Sequence, residues 1–146
     1  MHPLLVKAGI GAAALAAGTG LMLGSASSAV ADDAPVSMSI QSPATLIAHG
    51  AAINVPVLVT CPAGTNAFMR LSVTQAVGKR TASAQQDTDV ACTGAPQTVT
   101  VTLTTDGVPF SKGGNAYAQG YLSACVPSAD GCDFVSVPDD AVININ

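Results

Sequence analysis

Four cysteines, a single histidine after residue 2, nine aspartates and two tyrosines are the side chains of this 146-residue sequence with chemistry to offer. The cysteines are Cys61, Cys92, Cys125 and Cys132, separated by 31, 33 and 7 positions. A structural zinc site draws on paired short spacings such as C-x2-C. These gaps are too long, and only His49 remains to help, so no metal is assigned. In an exported chain the default is two disulfides, for which three connectivities exist. Cys125 and Cys132 flank Val-Pro-Ser-Ala-Asp-Gly, with a proline and an Asp-Gly turn signal, so that short loop closes easily. Cys61 is then left to pair with Cys92.

His49 is the one base available for a nucleophilic triad, which needs a serine and an acid beside it. It precedes Gly50 in a turn signal, and no G-x-S-x-G elbow occurs. It reads as a solvated loop histidine. Acids pair at Asp32-Asp33, Asp87/Asp89 and Asp139-Asp140. Glycoside hydrolysis needs two carboxyls facing each other across a cleft, whereas neighbours in a strand point to opposite faces. Asp130, Asp133, Asp139 and Asp140 cluster in sequence and could offer oxygens to calcium, but their spacing matches no calcium loop. No catalytic residue and no cofactor is expected. Tyr117 and Tyr121 fall on one face of a strand with Gln119 between them. They fit a contact stripe, where tyrosine is favoured, as well as they fit a core.

The compartment is set by residues 1–31, which read as a secretory signal peptide. A basic start ends at Lys7, an apolar run spans Ala8 to Gly24, and small residues close in Ala29-Val30-Ala31. The run of 17 residues is Gly-rich and short of the ~20 that span a bilayer, and acids rather than a basic cluster follow it. Residues 32–146 then form one domain of 115 residues. All nine acids are aspartates of this part, against Arg70, Lys79, Arg80 and Lys112, for a net charge of −5. That excludes nucleic acid, which demands clustered Lys/Arg, and an anionic membrane surface. Partners are therefore sought among extracellular proteins and small molecules.

The elements that hold these residues are strands. Val and Thr abound while Glu and Trp are absent, and β-branched side chains suit a pleated surface. Period-two runs cover Val36–Gln41, Ala44–Ala48, Ile53–Cys61, Ala67–Ala76, Gln97–Thr105 and Ala116–Cys125. Pro56 marks an edge or bulge in the third of these. Gly78–Ala91 is polar and reads as an edge strand or a long loop. Cys132–Val137 and Ala141–Ile145 read as a last strand broken at Pro138. The sum is an all-β fold: an immunoglobulin-like antiparallel β-sandwich of about seven strands with two disulfides. In that layout the strands ending at Cys61 and starting at Gln97 are antiparallel neighbours, which again brings Cys61 to Cys92.

Several features together resemble small secreted actinobacterial immunoglobulin-like proteins of unassigned function. They are the A-x-A leader, Cys61 ending a strand, Cys92-Thr93-Gly94 before a Val/Thr strand, and the alternating end Ala141–Asn146. The short Cys125–Cys132 loop is similar to one in the enediyne apoproteins, although their cleft is lined by aromatics and this chain has five in all. The segment Val101–Val108 after Cys92 is faintly similar to the streptomycete subtilisin inhibitors. These resemblances carry no functional residues.

The reading is a secreted, non-catalytic interaction or structural module; a small-molecule carrier or a secreted protease inhibitor is the alternative. Its candidate contact residues are Tyr117, Tyr121 and Asp130, the last at the tip of the disulfide-braced hairpin. The exported protein is expected to begin at Asp32. Intact-mass analysis of a culture supernatant checks this, and a product retaining residues 1–31 contradicts it.

Overall fold

A computed structural model describes residues 35–146, so the leader reading and the start at Asp32 lie outside the described residues. Alternation sets the architecture. In Ala52–Thr60 the residues Ile53, Val55, Val57 and Val59 are fully buried. In Asn66–Val77 the buried row is Ala67, Met69, Leu71 and Val73. Each row needs an apolar face to cover it, and two sheets packed face to face supply one another.

In chain order the strands are β1 (Ser37–Ile40), β2 (Thr45–Ile47), β3 (Ala52–Thr60), β4 (Asn66–Val77), β5 (Arg80–Ala91), β6 (Gln97–Thr104), β7 (Asn115–Ser128) and β8 (Gly131–Asn144). All strand ladders are antiparallel. One sheet centres on β3, with β6 along one side and β1 and β2 in file along the other. The second runs β5-β4-β7-β8. This is the immunoglobulin-like sandwich, in eight strands rather than seven. Pro56 lies opposite the break between β1 and β2, where Ser42-Pro43 interrupts the edge.

The sandwich is sewn along its margins. The backbone N–H of Ile40 donates to Asp139 on β8 at 2.7 Å, tying the two sheets edge to edge. Ala44 makes a parallel bridge to Ile145, with Ala44 N–H donating to Asn144 and Asn146 N–H donating back to Ala44. Gln75 is the buried polar side chain of β4. Its amide donates to the Ser111 carbonyl at 2.9 Å and accepts from the Ser111 N–H at 2.8 Å, so the β6–β7 connection is pinned to the sheet with no polar atom wasted. Gly50 holds φ +91°, and a Cβ there would collide with the Phe110 carbonyl whose own N–H bonds to Gly50. His49 beside it is exposed in a left-handed turn, as a loop residue.

Both disulfides form as the spacing indicates. Cys61–Cys92 spans 31 positions and is buried; Cys125–Cys132 spans 7. Two features differ from the sequence reading. β8 runs unbroken through Pro138, because β8 is a sheet edge and proline there gives up a donor that no inner strand requires. The six residues between Cys125 and Cys132 are not a loop: β7 and β8 pair to Ser128 and Gly131, leaving a two-residue turn at Ala129-Asp130. The polar segment before Cys92 is an edge strand, β5, and not a long loop.

On the chain-entropy account, closing the 31-position loop contributes just under ~4 kcal/mol and the 7-position loop just over ~2 kcal/mol. Removing the first pair (Cys61→Ala with Cys92→Ala) is therefore expected to cost about one and a half times what removing the second costs. Urea denaturation of the two double variants measures the difference; equal losses contradict it.

Candidate functional site

The two outer faces of the sandwich are chemically unlike. On the first sheet, Thr98, Thr100, Thr102 and Thr104 of β6 alternate with the buried row, and Thr102 donates to Asn54 at 2.7 Å. On the second sheet, register lays the outward residues in rows. Phe68 stands beside Ser123, Arg70 beside Tyr121 and Ser72 beside Gln119. Across the β7–β8 ladder, Tyr121 stands beside Pro138, Gln119 beside Asp140 and Tyr117 beside Val142. Further along, Cys125 stands beside Phe134.

Tyr117 and Tyr121 therefore lie on the outer face, not in the core. The inward positions of the same strand are Ala116, Ala118, Leu122 and Ala124, all buried. Of the five aromatic residues in the sequence, Phe68, Tyr117, Tyr121 and Phe134 share this one outer face and Phe110 alone is buried. Tyr117 is 43% exposed, Phe134 80% and Val142 67%.

The aromatic and charged groups brace one another. The Phe68 and Tyr121 rings are tilted with centroids 6.1 Å apart. Arg70 lies 5.7 Å over the Phe68 ring and grips Asp87 on β5 through two bonds of 2.6 and 2.7 Å. The pair is exposed, so it adds little stability. Its planar two-point geometry instead fixes where the guanidinium sits. Those hydrogen bonds hold the Asp87 carboxyl below its ordinary value and the Arg70 guanidinium above its own. At the other end of the band, partial desolvation raises the Tyr117 hydroxyl above its ordinary value, helped by the charge of Asp140 and by a hydrogen bond to it.

Between the two tyrosines the face dips. Arg70, Ser72, Gln85, Gln119, Pro138 and Asp140 line this depression with the tyrosines, and its volume is about 340 Å³. A larger groove of about 650 Å³ follows the β5 edge to Asp106 and is lined mainly by hydroxyl and amide groups. Asp130, the third sequence candidate, is at the exposed hairpin turn, well past Tyr121 along β7, and does not join the tyrosines. The acids considered for calcium do not converge either. Asp139 faces β1 and Asp140 the outer face, and no group of three or more His, Cys, Asp or Glu gathers among the described residues. Phe68, Gln85 and Val142 are not singled out by the sequence, which offers Arg70 only as a solvated edge charge. Only the cross-strand register, which sequence does not print, carries them to the tyrosines.

β7 and β8 also outrun the sheet. β4 pairs with β7 only as far as Ala124, so Cys125–Phe134 form a two-stranded finger. A free hairpin is marginal in water, and the Cys125–Cys132 bond clamps this one across its outer face.

No family model matches the chain, and no curated protein matches it. Among solved structures, the solution structure of R. palustris CsgH is similar, with a TM-score of 0.43 and 15% identity over 74% of this chain and 92% of that chain. At that level the likeness assigns neither a partner nor a role.

Replacing Asp140 with Asn removes a negative charge beside Tyr117. The Tyr117 hydroxyl is expected to ionise at lower pH than in the parent protein, while staying raised by desolvation. With two tyrosines and no tryptophan in the chain, ultraviolet titration resolves the shift. An unmoved titration contradicts the placement of Asp140.

Proposed function

We propose that this protein is a secreted, non-catalytic interaction module that meets its partner through the outer face of the β5-β4-β7-β8 sheet. One observation carries the reading: four of five aromatic side chains stand outside a sandwich whose core is otherwise aliphatic, sulfur-bearing or small. Aromatic residues bury large areas and dominate core energetics, so keeping them on a surface forgoes stability. Surfaces that do so are contact surfaces, where tyrosine combines apolar area with a polar tip at low entropy cost. The setting is extracellular, supported by the leader at residues 1–31 and by two disulfides with no free cysteine among the described residues. It matches the resemblance to small secreted actinobacterial immunoglobulin-like proteins.

The alternatives have less support. A carrier requires a concave apolar site that encloses most of its ligand. The depressions here are shallow and carry many polar groups. A substrate-like protease inhibitor requires an extended, unpaired loop, and the braced finger is laddered to a two-residue turn. The finger, with Asp130 at its tip, is instead a peripheral contact: covalent bracing lowers the entropy cost of ordering it.

Tyr117→Ala and Tyr121→Ala together are expected to reduce retention of labelled protein on the surface of cells that produce it by roughly tenfold, with the melting temperature little changed. Unchanged retention of the folded double variant overturns the assignment. Loss of retention on Asp130→Ala alone moves the contact to the finger.

A further inference from the structure

We infer that the depression between Tyr117 and Tyr121 is a binding site for an uncharged oligosaccharide, an assignment that rests on the interaction reading above and names its partner class. A sugar ring has an apolar C–H face and a rim of hydroxyls, each a donor and an acceptor at once. The site matches both halves. Tyr117 and Tyr121 supply aromatic surface at its two ends, and Pro138 stands beside Tyr121. Between them Gln119 and Gln85 present carboxamides that make no hydrogen bond within the protein through their side chains, whereas Arg70, Asp87 and Ser72 beside them are engaged. Each carboxamide offers two donors and a two-pair acceptor, and Asp140 adds acceptors. Groups of both kinds in alternation are what hydroxyls require.

Charge narrows the ligand. Arg70 is consumed by Asp87, and Asp139 is turned to the Ile40 N–H. Asp139 and Asp140 have no cation beside them, so the depression is net negative and turns away sulfated or carboxylated chains. A second copy of this protein fits poorly. A two-fold contact sets the same patch against itself, so two concave, amide-lined surfaces would meet with their carboxamides unpaired and their Asp140 carboxylates drawn together. Length follows from the strand: four residues of β7 separate the tyrosines, about 13 Å at a strand's rise, so a ligand engaging both is longer than one ring. The volume of about 340 Å³ sits at the low end of the ~300–1,000 Å³ of known ligand sites, as suits a short stretch of an oligomer lying open to solvent.

The two tyrosines are the only ones in the chain and tryptophan is absent, so intrinsic fluorescence reports on this site alone. Cellohexaose, laminarihexaose and chitohexaose are titrated into the full secreted protein, with heparin and poly-L-lysine as charged probes. At least one neutral hexasaccharide is expected to give a saturable change at or below about millimolar concentration, weakened about tenfold by Gln119→Ala and more by Tyr117→Ala. Thr100→Ala, on the opposite sheet, leaves it unchanged. Calorimetry repeats the Tyr117→Ala titration, where the fluorophore is lost, and circular dichroism verifies folding. No response to any neutral hexasaccharide overturns the inference, as does a response only to heparin or poly-L-lysine, or one that survives both substitutions. If sugars fail while retention on cells still depends on the tyrosines, the carbohydrate assignment alone falls. If neither depends on them, the face itself is wrong.

Discussion

The Cys61–Cys92 bond is the constraint on which the rest of the sandwich hangs. Cys61 directly follows β3 in one sheet and Cys92 directly follows β5 in the other, so the bond fastens the two layers where the chain crosses between them. Backbone bonds gather around it: Gly64 N–H donates to Cys92, Cys92 N–H to Thr65, and Gly94 N–H to Cys61. The two crossover loops thereby become one knot. With that end closed, β3 and β6 on one side and β4 and β5 on the other have fixed registers, and the buried rows must interdigitate as they do.

That arrangement also explains why aromatic side chains are free to face outward. The inward positions of β7 are mostly small: Ala116, Ala118 and Ala124 are buried with Gly120 among them, and Leu122 is the one large residue of the row. They receive the Val, Ile and Met side chains of the first sheet at close quarters. Gly120 carries this furthest: a Cβ there would collide with the Arg70 carbonyl and press on the Met38 methyl at 3.1 Å. At Gly120 the inward side of β7 has no room even for a methyl group. Packing and recognition thus use opposite faces of the same strand, and a change at Gln119 need not disturb Ala118.

Much of this was legible in the sequence because period two and cysteine spacing are local signals. Ile53–Cys61 and Gln97–Thr105 declare their buried rows, and their pairing follows from the layout. The alternation at Tyr117 and Tyr121 fixes that they share a face but not which face, since small residues line cores and surfaces alike. The hairpin was misjudged for a different reason. Pro127, Pro138 and Asp130-Gly131 are breakers by type, yet β8 is an edge strand and the turn needs only two residues, so the ladder passes both prolines and closes at Ser128 and Gly131, leaving Ala129-Asp130 as the turn. The assembled face was out of reach, because Arg70–Asp87 and Phe68–Tyr121 are contacts between strands that sequence spacing does not relate.

The clamped finger has a meaning for an encounter with a protease. Proteolytic enzymes take hold of backbone that can be drawn out as a single extended segment, and the finger offers only Ala129 and Asp130 outside its ladder. A cut there would not sever the molecule. The ends would stay joined by Cys125–Cys132 and by the paired strands behind it, and the rows that hold Tyr117 beside Val142 and Tyr121 beside Pro138 would keep their register. A nick at the turn would thus spare the register of the outer face.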